Sequence, residues 1–218
     1  TINSVTSIND EAGFSIAKYS GTGSAATVAH GLSAAPNFII VKNISSGSTN
    51  FRVYHSSYPA TKFLSLNNSD ASADADVIWN DTAPTSTVFS IGTDSSVGSS
   101  GDSYIAYCWR AISGYSAFGS YTAGTTDGSG NQYINVGFQP DWVMIKRSST
   151  TGNWSISDAV RSPGTPTYCL YRNIYADEPS AEGVATGACT NAYVEYTSTG
   201  FGWSSAMIAA GTNPNYYS

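Results

Sequence analysis

Tyrosine and tryptophan side chains in polar surroundings are the residues of this chain best equipped for recognition chemistry. The sequence holds 15 Tyr and 5 Trp, and many of them lie in its last third. An aromatic ring supplies contact area at low rotamer cost, and a Tyr hydroxyl adds a hydrogen-bonding tip, so such residues stack under sugar rings. The ligand-binding residues predicted on this basis are Tyr168, Tyr171, Arg172, Tyr175 and Trp203. The alternative that they are core or interface residues stays open.

The histidines give no sign of a catalytic centre. The chain has two, His30 and His55, and no Gly-x-Ser-x-Gly, His-Glu-x-x-His or phosphate-binding glycine-rich motif accompanies them. We expect His30 to bond to the backbone of a turn and His55 to end a strand. The chain is therefore predicted not to be an enzyme.

Paired carboxylates would serve a glycosidase, which needs two of them about 5 to 9.5 Å apart, one with a raised pKa. The four glutamates are Glu11, Glu178, Glu182 and Glu195, and the aspartates lie in polar, turn-rich segments. We expect these acids to be solvated loop carboxylates. A fragment of a polysaccharide depolymerase is retained as an alternative.

An acidic cluster formed by Asp70, Asp74 and Asp76 raises a calcium hypothesis, because hard cations take carboxylate oxygens from loops. The spacing does not match an EF-hand loop. We favour a solubilising loop or a single short helical turn, and we predict neither a metal site nor a cofactor.

The three cysteines cannot all pair within one chain. Cys108 lies in a strand-like run, where a thiol is expected to be an inert, small hydrophobic side chain. Cys169 and Cys189 are free to bridge, but nothing in their spacing demands it.

The elements that must position these residues are strands. Charged residues make up 11% of the 218 residues, and the helix formers Leu, Glu, Gln, Lys, Arg and Met together number 21. Short runs rich in β-branched and aromatic residues alternate with Gly, Asn, Asp, Ser and Pro clusters, which is typical of a β-sandwich. A net charge of −6 argues against nucleic-acid partners. No apolar run approaches the roughly 20 residues needed for membrane insertion.

The chain repeats itself at an offset of about 104 residues. The matching pairs are Pro36 with Pro140, Lys42 with Lys146, and Asn50 with Asn153. We therefore predict an all-β protein of two related antiparallel β-sandwich units, jelly-roll-like in form and packed together. The predicted boundaries are 1–12 for an N-terminal extension or linker, 13–113 for the first unit and 114–218 for the second.

Two runs predict buried strands. Residues 36–42 are nearly continuous in hydrophobicity, which favours a strand covered on both faces. In residues 104–109, the two-residue period puts Tyr104, Ala106 and Cys108 on one face and Ile105, Tyr107 and Trp109 on the other. Aromatic bulk on both faces predicts a strand between two sheets or two domains.

Several segments resemble a known family. Residues 13–16, 29–42 (AHGLSAAPNFIIVK), 77–84 and 114–122, continued by 142–147 and 151–154, are similar to a duplicated β domain found in tail fibre and other structural proteins of tailed bacteriophages. The resemblance covers roughly residues 13–160. It implies a virion component, expected to be a homotrimer in contact with other virion proteins and with a host-surface glycan or receptor.

The function expected from the resemblance is host attachment by a phage tail fibre or virion-surface protein. A purely structural fibre or capsid decoration protein is one alternative. A secreted carbohydrate-binding module is another.

The end of the chain departs from the family pattern. It closes on the polar residues 211–218 instead of an apolar strand like residues 104–109, and Pro214 cannot donate to a central ladder. We therefore expect the second unit either to leave an open sheet edge or to receive a strand from another chain.

Overall fold

The computed structural model describes residues 1–122, 132–161, 171–185, 194–203 and 214–217. Strands make up 43% of the chain and helix 2%, and the sheets are antiparallel, so the predicted all-β class is confirmed. The first strands are β1 (Ser4–Asn9), β2 (Phe14–Ser20), β3 (Ala26–Ala29), β4 (Phe38–Asn43), β5 (Arg52–His55), β6 (Lys62–Ser65) and β7 (Ala73–Asp74). The short helix α1 (Asp76–Trp79), β8 (Val88–Ile91) and β9 (Ser103–Trp109) follow.

The second half of the chain is also built from strands. They are β10 (Phe118–Ser120), β11 (Gln132–Asn135), β12 (Trp142–Arg147), β13 (Trp154–Asp158), β14 (Tyr171–Tyr175), β15 (Gly183–Ala185), β16 (Val194–Thr197), β17 (Gly200–Trp203) and β18 (Pro214–Tyr217). By its internal contacts the chain divides into unit 1 (Thr1–Ile112) and unit 2 (Ser113–Ser218).

Residues 1–12 are part of unit 1, so the prediction of a separate extension or linker is wrong. Strand β1 pairs with β2 along its whole length, from Ser4 opposite Tyr19 to Asn9 opposite Phe14. Nε of Arg110 then donates to Oδ1 of Asp10 at 2.9 Å, which fastens the hairpin loop to the end of β9. The sequence hid this strand because it lies at the sheet edge with most of its side chains exposed.

Unit 1 contains a seven-stranded sheet in the order β1-β2-β9-β4-β5-β6-β7 and a two-stranded sheet, β3-β8. The last strand, β9, is inserted between β2 and β4 and pairs antiparallel with both. The last strand of the unit therefore lies in the middle of the sheet. Its pairing with β2 holds the first and last segments of residues 1–112 in one sheet.

The hydrophobic core of unit 1 draws on both sheets and on α1. Among its fully buried members are Val28 of β3, Trp79 of α1, Phe89 of β8 and Tyr104 of β9. Large aromatic side chains therefore pack between the two sheets. Burying each of them stabilises the folded state by on the order of 2 to 3 kcal/mol.

The strands predicted for residues 36–42 and 104–109 are confirmed as β4 and β9, whereas the position of β9 between two sheets or two domains stays a prediction. Four consecutive residues of β4, from Phe38 to Val41, are buried. In β9 the residues Tyr104, Ala106 and Cys108 are buried and their neighbours are half-buried, which is the expected alternation. Cys108 is fully buried, as predicted, and burial raises the pKa of its thiol to about 12.

The opposite face of the seven-stranded sheet carries an aromatic cluster. The Trp109 ring lies 4.9 Å from that of Phe14 and 5.6 Å from that of Phe38, measured between centroids. Tyr107 stacks against Phe14 at 6.5 Å. Both faces of β9 are thus lined by aromatic side chains.

Unit 2 contains a six-stranded sheet in the order β10-β18-β12-β13-β14-β15 and a three-stranded sheet in the order β11-β17-β16. Strand β18 pairs antiparallel with β10 and with β12, so the chain itself fills the position expected to be open or occupied by another chain. That expectation is wrong because Pro214 is the first residue of the strand, beyond the β10 ladder, where a missing N–H is tolerated.

A lysine side chain fastens the hairpin loop that follows each repeated strand, and it is half-buried at Lys42 and buried at Lys146. Nζ of Lys42, at the end of β4, donates to the carbonyl oxygen of Thr49. Nζ of Lys146, near the end of β12, donates to the carbonyl oxygens of Arg147 and Gly152 at 2.7 Å each. The side chain of Lys146 is fully buried, so its ammonium group depends on these acceptors.

Candidate functional site

The three-stranded sheet of unit 2 has one buried and one accessible face. Ile134 of β11 and Phe201 of β17 are buried in the core of the unit. The next row of the register, which belongs to the opposite face, consists of Tyr133 of β11, Gly202 of β17 and Glu195 of β16. We call this row the Tyr133 platform.

Gly202 makes room for the ring of Tyr133. A Cβ atom at position 202 would lie 2.5 Å from Cδ1 and 2.7 Å from Cε1 of Tyr133, closer than any real contact of this kind. Gly202 is buried, whereas Tyr133 remains 47% exposed. The ring therefore lies against the backbone of the central strand and keeps much of its own surface accessible.

The hydroxyl of Tyr133 joins the ring to a carboxylate across the sheet. It donates a hydrogen bond of 2.6 Å to Oε2 of Glu195, which lies 62 positions away in the sequence. Hydrogen bonds to an ionised carboxylate are shorter and about twice as strong as neutral ones. This bond fixes the ring and the carboxylate relative to each other.

The row beside the platform has the same construction. Gly200 of β17 lies between Asn135 of β11 and Thr197 of β16. Because both residues of the central strand in these two rows are glycines, the outer strands supply the side chains of this face. This face therefore presents the aromatic ring of Tyr133, the carboxylate of Glu195, the amide of Asn135 and the hydroxyl of Thr197. They flank the backbone of β17, which carries no side chain in these two rows.

Comparison with known proteins identifies a family. A family model described as Domain of unknown function (DUF7483) matches residues 1–217. The chain belongs to this family. The DUF7483 match spans both units, whereas no curated protein and no solved structure matches the chain.

The ligand-binding residues predicted from the sequence are dispersed in this DUF7483 chain. Tyr171, Arg172 and Tyr175 lie in β14 of the six-stranded sheet. Trp203 lies in β17, in a different sheet. Tyr168 falls outside the described residues. The structure does not bring the described members together, and a role for them in binding stays a prediction.

Sequence reasoning overlooked Tyr133 and treated Glu195 only as one solvated carboxylate among four. A signal was available in the alternating glycines of Gly200-Phe-Gly-Trp203. A glycine inside a strand often marks a place where another group approaches the backbone closely. Here the group is the Tyr133 ring, but the sequence does not say which strand supplies it.

The predictions for the two histidines are confirmed. The Nδ1 atom of His30 accepts a hydrogen bond of 3.1 Å from the amide of Leu32, so Nε2 carries the proton and donates to the carbonyl oxygen of Thr85 at 3.1 Å. His55 is the last residue of β5. Burial lowers the pKa of both, to about 3 for His55.

Two further glutamates have structural contacts. Oε1 of Glu182 accepts a hydrogen bond from Arg161 at 3.1 Å, and Oε1 of Glu178 accepts one from Asn153 at 2.7 Å. These contacts hold loops of unit 2 together.

The acidic cluster is divided between secondary-structure elements. Asp74 ends β7 and accepts a hydrogen bond from Thr61, whereas Asp76 begins the single helical turn α1. Asp70 accepts one from Asn68. Within the described parts of the chain, no group of three or more acidic, histidine or cysteine side chains is placed to hold a metal ion. Helix α1 is far too short to cross a membrane, and no other described helix does so.

Proposed function

We propose that this DUF7483 chain is a non-catalytic attachment module of a bacteriophage virion, which binds a host-surface glycan through the Tyr133 platform. The observation that carries the proposal is the half-exposed Tyr133 ring, seated against Gly202 and hydrogen-bonded to Glu195. The apolar C–H face of a pyranose stacks on such a ring, and its hydroxyls bond to neighbouring polar groups.

Preorganisation supports binding at this platform. A free tyrosine side chain loses rotamer freedom when it meets a ligand, at a cost of about 0.5 to 1.5 kcal/mol. The hydrogen bond from Tyr133 to Glu195 at 2.6 Å restrains the ring before any ligand arrives. The polar side chains of Asn135 and Thr197 lie in the neighbouring row and extend the surface along the strands.

The virion assignment rests on the resemblance of residues 13–160 to structural proteins of tailed bacteriophages. In that setting we propose a homotrimer displayed on the particle surface, in contact with other virion proteins. A single aromatic platform binds weakly, and multivalent display raises the overall affinity by about 10²- to 10⁴-fold. Light scattering on the purified chain measures the mass, and a stable monomer would contradict the trimer.

We also propose that the two units are duplicated β-sandwiches. The order of strands in the sheets supports this proposal. The order β2-β9-β4-β5-β6-β7 in unit 1 corresponds strand by strand to β10-β18-β12-β13-β14-β15 in unit 2, and the pair β3-β8 corresponds to β11-β17. The lysines that fasten the hairpin loops, Lys42 and Lys146, occupy equivalent places in the two orders. Unit 2 has strand β16 before β17, at the place where unit 1 has helix α1 before β8. The strand position of Glu195 in β16 therefore has no equivalent in unit 1.

A purely structural role is the second candidate, and the same observation favours it in part. An aromatic ring packed against a glycine on a neighbouring strand also stabilises a sheet. In that case removing the Tyr133 ring lowers stability without any effect on recognition. Binding and stability must therefore be measured on the same variants.

The test is binding of the full chain to arrayed bacterial polysaccharides. We expect Tyr133→Ala to weaken binding at least about fivefold, because an aromatic contact contributes about 1 kcal/mol or more. The control is Tyr115→Ala, which removes another tyrosine, 65% exposed, and is expected to bind as the wild type does.

Three outcomes would overturn the proposal. One is that no polysaccharide is bound, and another is that Tyr133→Ala binds normally while its melting temperature falls, which would favour the structural role. The third is release of reducing ends from a bound polysaccharide, which would indicate a depolymerase.

A further inference from the structure

The Tyr133 platform has a defined hydrogen-bonding polarity. An ionised carboxylate only accepts hydrogen bonds, and its two oxygens offer about four lone-pair positions. The Tyr133 hydroxyl occupies one of these positions on Oε2 of Glu195. A ligand that reaches Glu195 must therefore donate, as a sugar hydroxyl or an amide N–H does and an ionised acid does not.

The three strands of the platform carry charge of one sign. Strands β11, β16 and β17 contain no lysine or arginine, and Glu195 is their only charged residue. Unit 2 has four Lys and Arg against seven Asp and Glu, which gives a net charge of −3. Of these four cations, Lys146 is fully buried against carbonyl oxygens and Arg161 is paired with Asp158 and Glu182. Arg147 and Arg172 lie in β12 and β14, which belong to the other sheet of the unit.

We infer that the platform selects uncharged, hydroxyl-rich pyranoses and rejects sugars that carry a carboxylate, with Glu195 as the residue that discriminates. The inference rests on the proposed function and adds the chemical class of the ligand. A neutral sugar stacks on Tyr133 and donates a hydroxyl to Glu195. A uronate or another acidic sugar in the same place brings two negative charges together with no cation of the sheet to balance them.

The experiment uses matched pairs of polysaccharides. Each pair consists of a uronate-containing polysaccharide and the same polymer after chemical reduction of its carboxylates to primary alcohols. Binding of the full chain is measured for the wild type, Glu195→Gln and Tyr133→Ala at low and at high salt.

The wild type is expected to bind the reduced polymers and to bind their acidic parents at least roughly fivefold more weakly, the size of one like-charge contact near water. Glu195→Gln removes the charge and keeps a side chain of the same size, so this difference should shrink. High salt should shrink it as well, because exposed charges are screened.

Tyr133-dependent binding of the acidic polymers as tight as that of the reduced ones would overturn the inference and leave the proposed function standing. An unchanged preference in Glu195→Gln would also overturn it. Absence of Tyr133-dependent binding to any polymer, acidic, reduced or naturally neutral, would overturn the proposed function and this inference together.

Discussion

His55 shows how burial acts on a single titratable side chain in unit 1. The residue is 2% exposed, and its Nδ1 atom accepts a hydrogen bond of 3.0 Å from the amide of Ser57. Burial disfavours the charged imidazolium and lowers the pKa of His55 from 6.5 to about 3. The folded protein therefore keeps this ring neutral at pH values where the unfolded chain takes up a proton.

Stability should consequently fall on acidification between pH 6.5 and about 3. In this window the unfolded state binds the proton and the folded state does not, so the free energy of unfolding drops by up to about 1.4 kcal/mol per pH unit. In His55→Gln this contribution is absent, and its pH profile should be flatter than that of the wild type. Urea denaturation at a series of pH values measures the difference. Parallel profiles for the two proteins would show that His55 is not the cause.

At the scale of the element, the hairpin between β12 and β13 depends on one buried cation. Nζ of Lys146 donates to two backbone carbonyl oxygens, those of Arg147 and Gly152. An ammonium group without water needs such acceptors, and the carbonyl oxygens need a donor.

Lys146→Met should destabilise the protein by about 1 to 3 kcal/mol, because it leaves two partly buried carbonyl oxygens without this donor while it preserves the length of the side chain. Lys18→Met, at an exposed position of β2, is the matched control and should have little effect. Chemical denaturation compares the two. Equal stability of both variants would contradict a role for Lys146 in holding the hairpin.

The Tyr133 platform is likewise a property of three strands together. Gly202→Ala places a Cβ atom where the Tyr133 ring now lies and 2.9 Å from the carbonyl oxygen of Gln132, so the exposed ring must move outward and the two strands must shift slightly. We expect weaker polysaccharide binding, at least about fivefold, with the circular dichroism spectrum unchanged. Gly47→Ala is the control, because a Cβ atom at Gly47 meets no atom within 4 Å. Normal binding by Gly202→Ala would show that the position of the ring does not matter.

At the scale of the whole molecule, unit 1 draws all of its strands from one stretch of chain. Both of its sheets are formed within residues 4–109, and its core cluster extends from Ala17 to Cys108. The Arg110–Asp10 ion pair joins the end of this stretch to its beginning. Every strand of these sheets and every member of that cluster lies within residues 1–112.

A fragment comprising residues 1–112 should therefore fold on its own. We expect a β-type circular dichroism spectrum, a cooperative thermal transition and dispersed amide resonances. The physical reason is that every ladder of both sheets and every member of the core cluster is present in the fragment. A random-coil spectrum or a transition without cooperativity would contradict this prediction.

Local pattern was enough to predict several features. The apolar run in β4, the alternation in β9, the buried thiol of Cys108 and the contact of His30 with the Leu32 amide all follow from patterns of residues close in sequence. Edge strand β1 escaped prediction because its exposed side chains leave little hydrophobic signal. Strand β18 escaped prediction because a proline argues against a central strand, whereas Pro214 is the first residue of β18 and needs no donor there.

Composition and short-range periodicity suffice to predict the all-β class, strands β4 and β9 and the low charge, because each depends only on residue types and near neighbours in the sequence. Which strands are neighbours in a sheet depends on the three-dimensional fold. Strand pairing is non-local, so it placed β9 between β2 and β4, and it brought Tyr133 and Glu195 together over Gly202 from positions 62 residues apart. The alternating glycines of β17 indicate that another group packs closely against this strand. The pairing of three strands determines that this group is the Tyr133 ring and that the Glu195 carboxylate lies beside it.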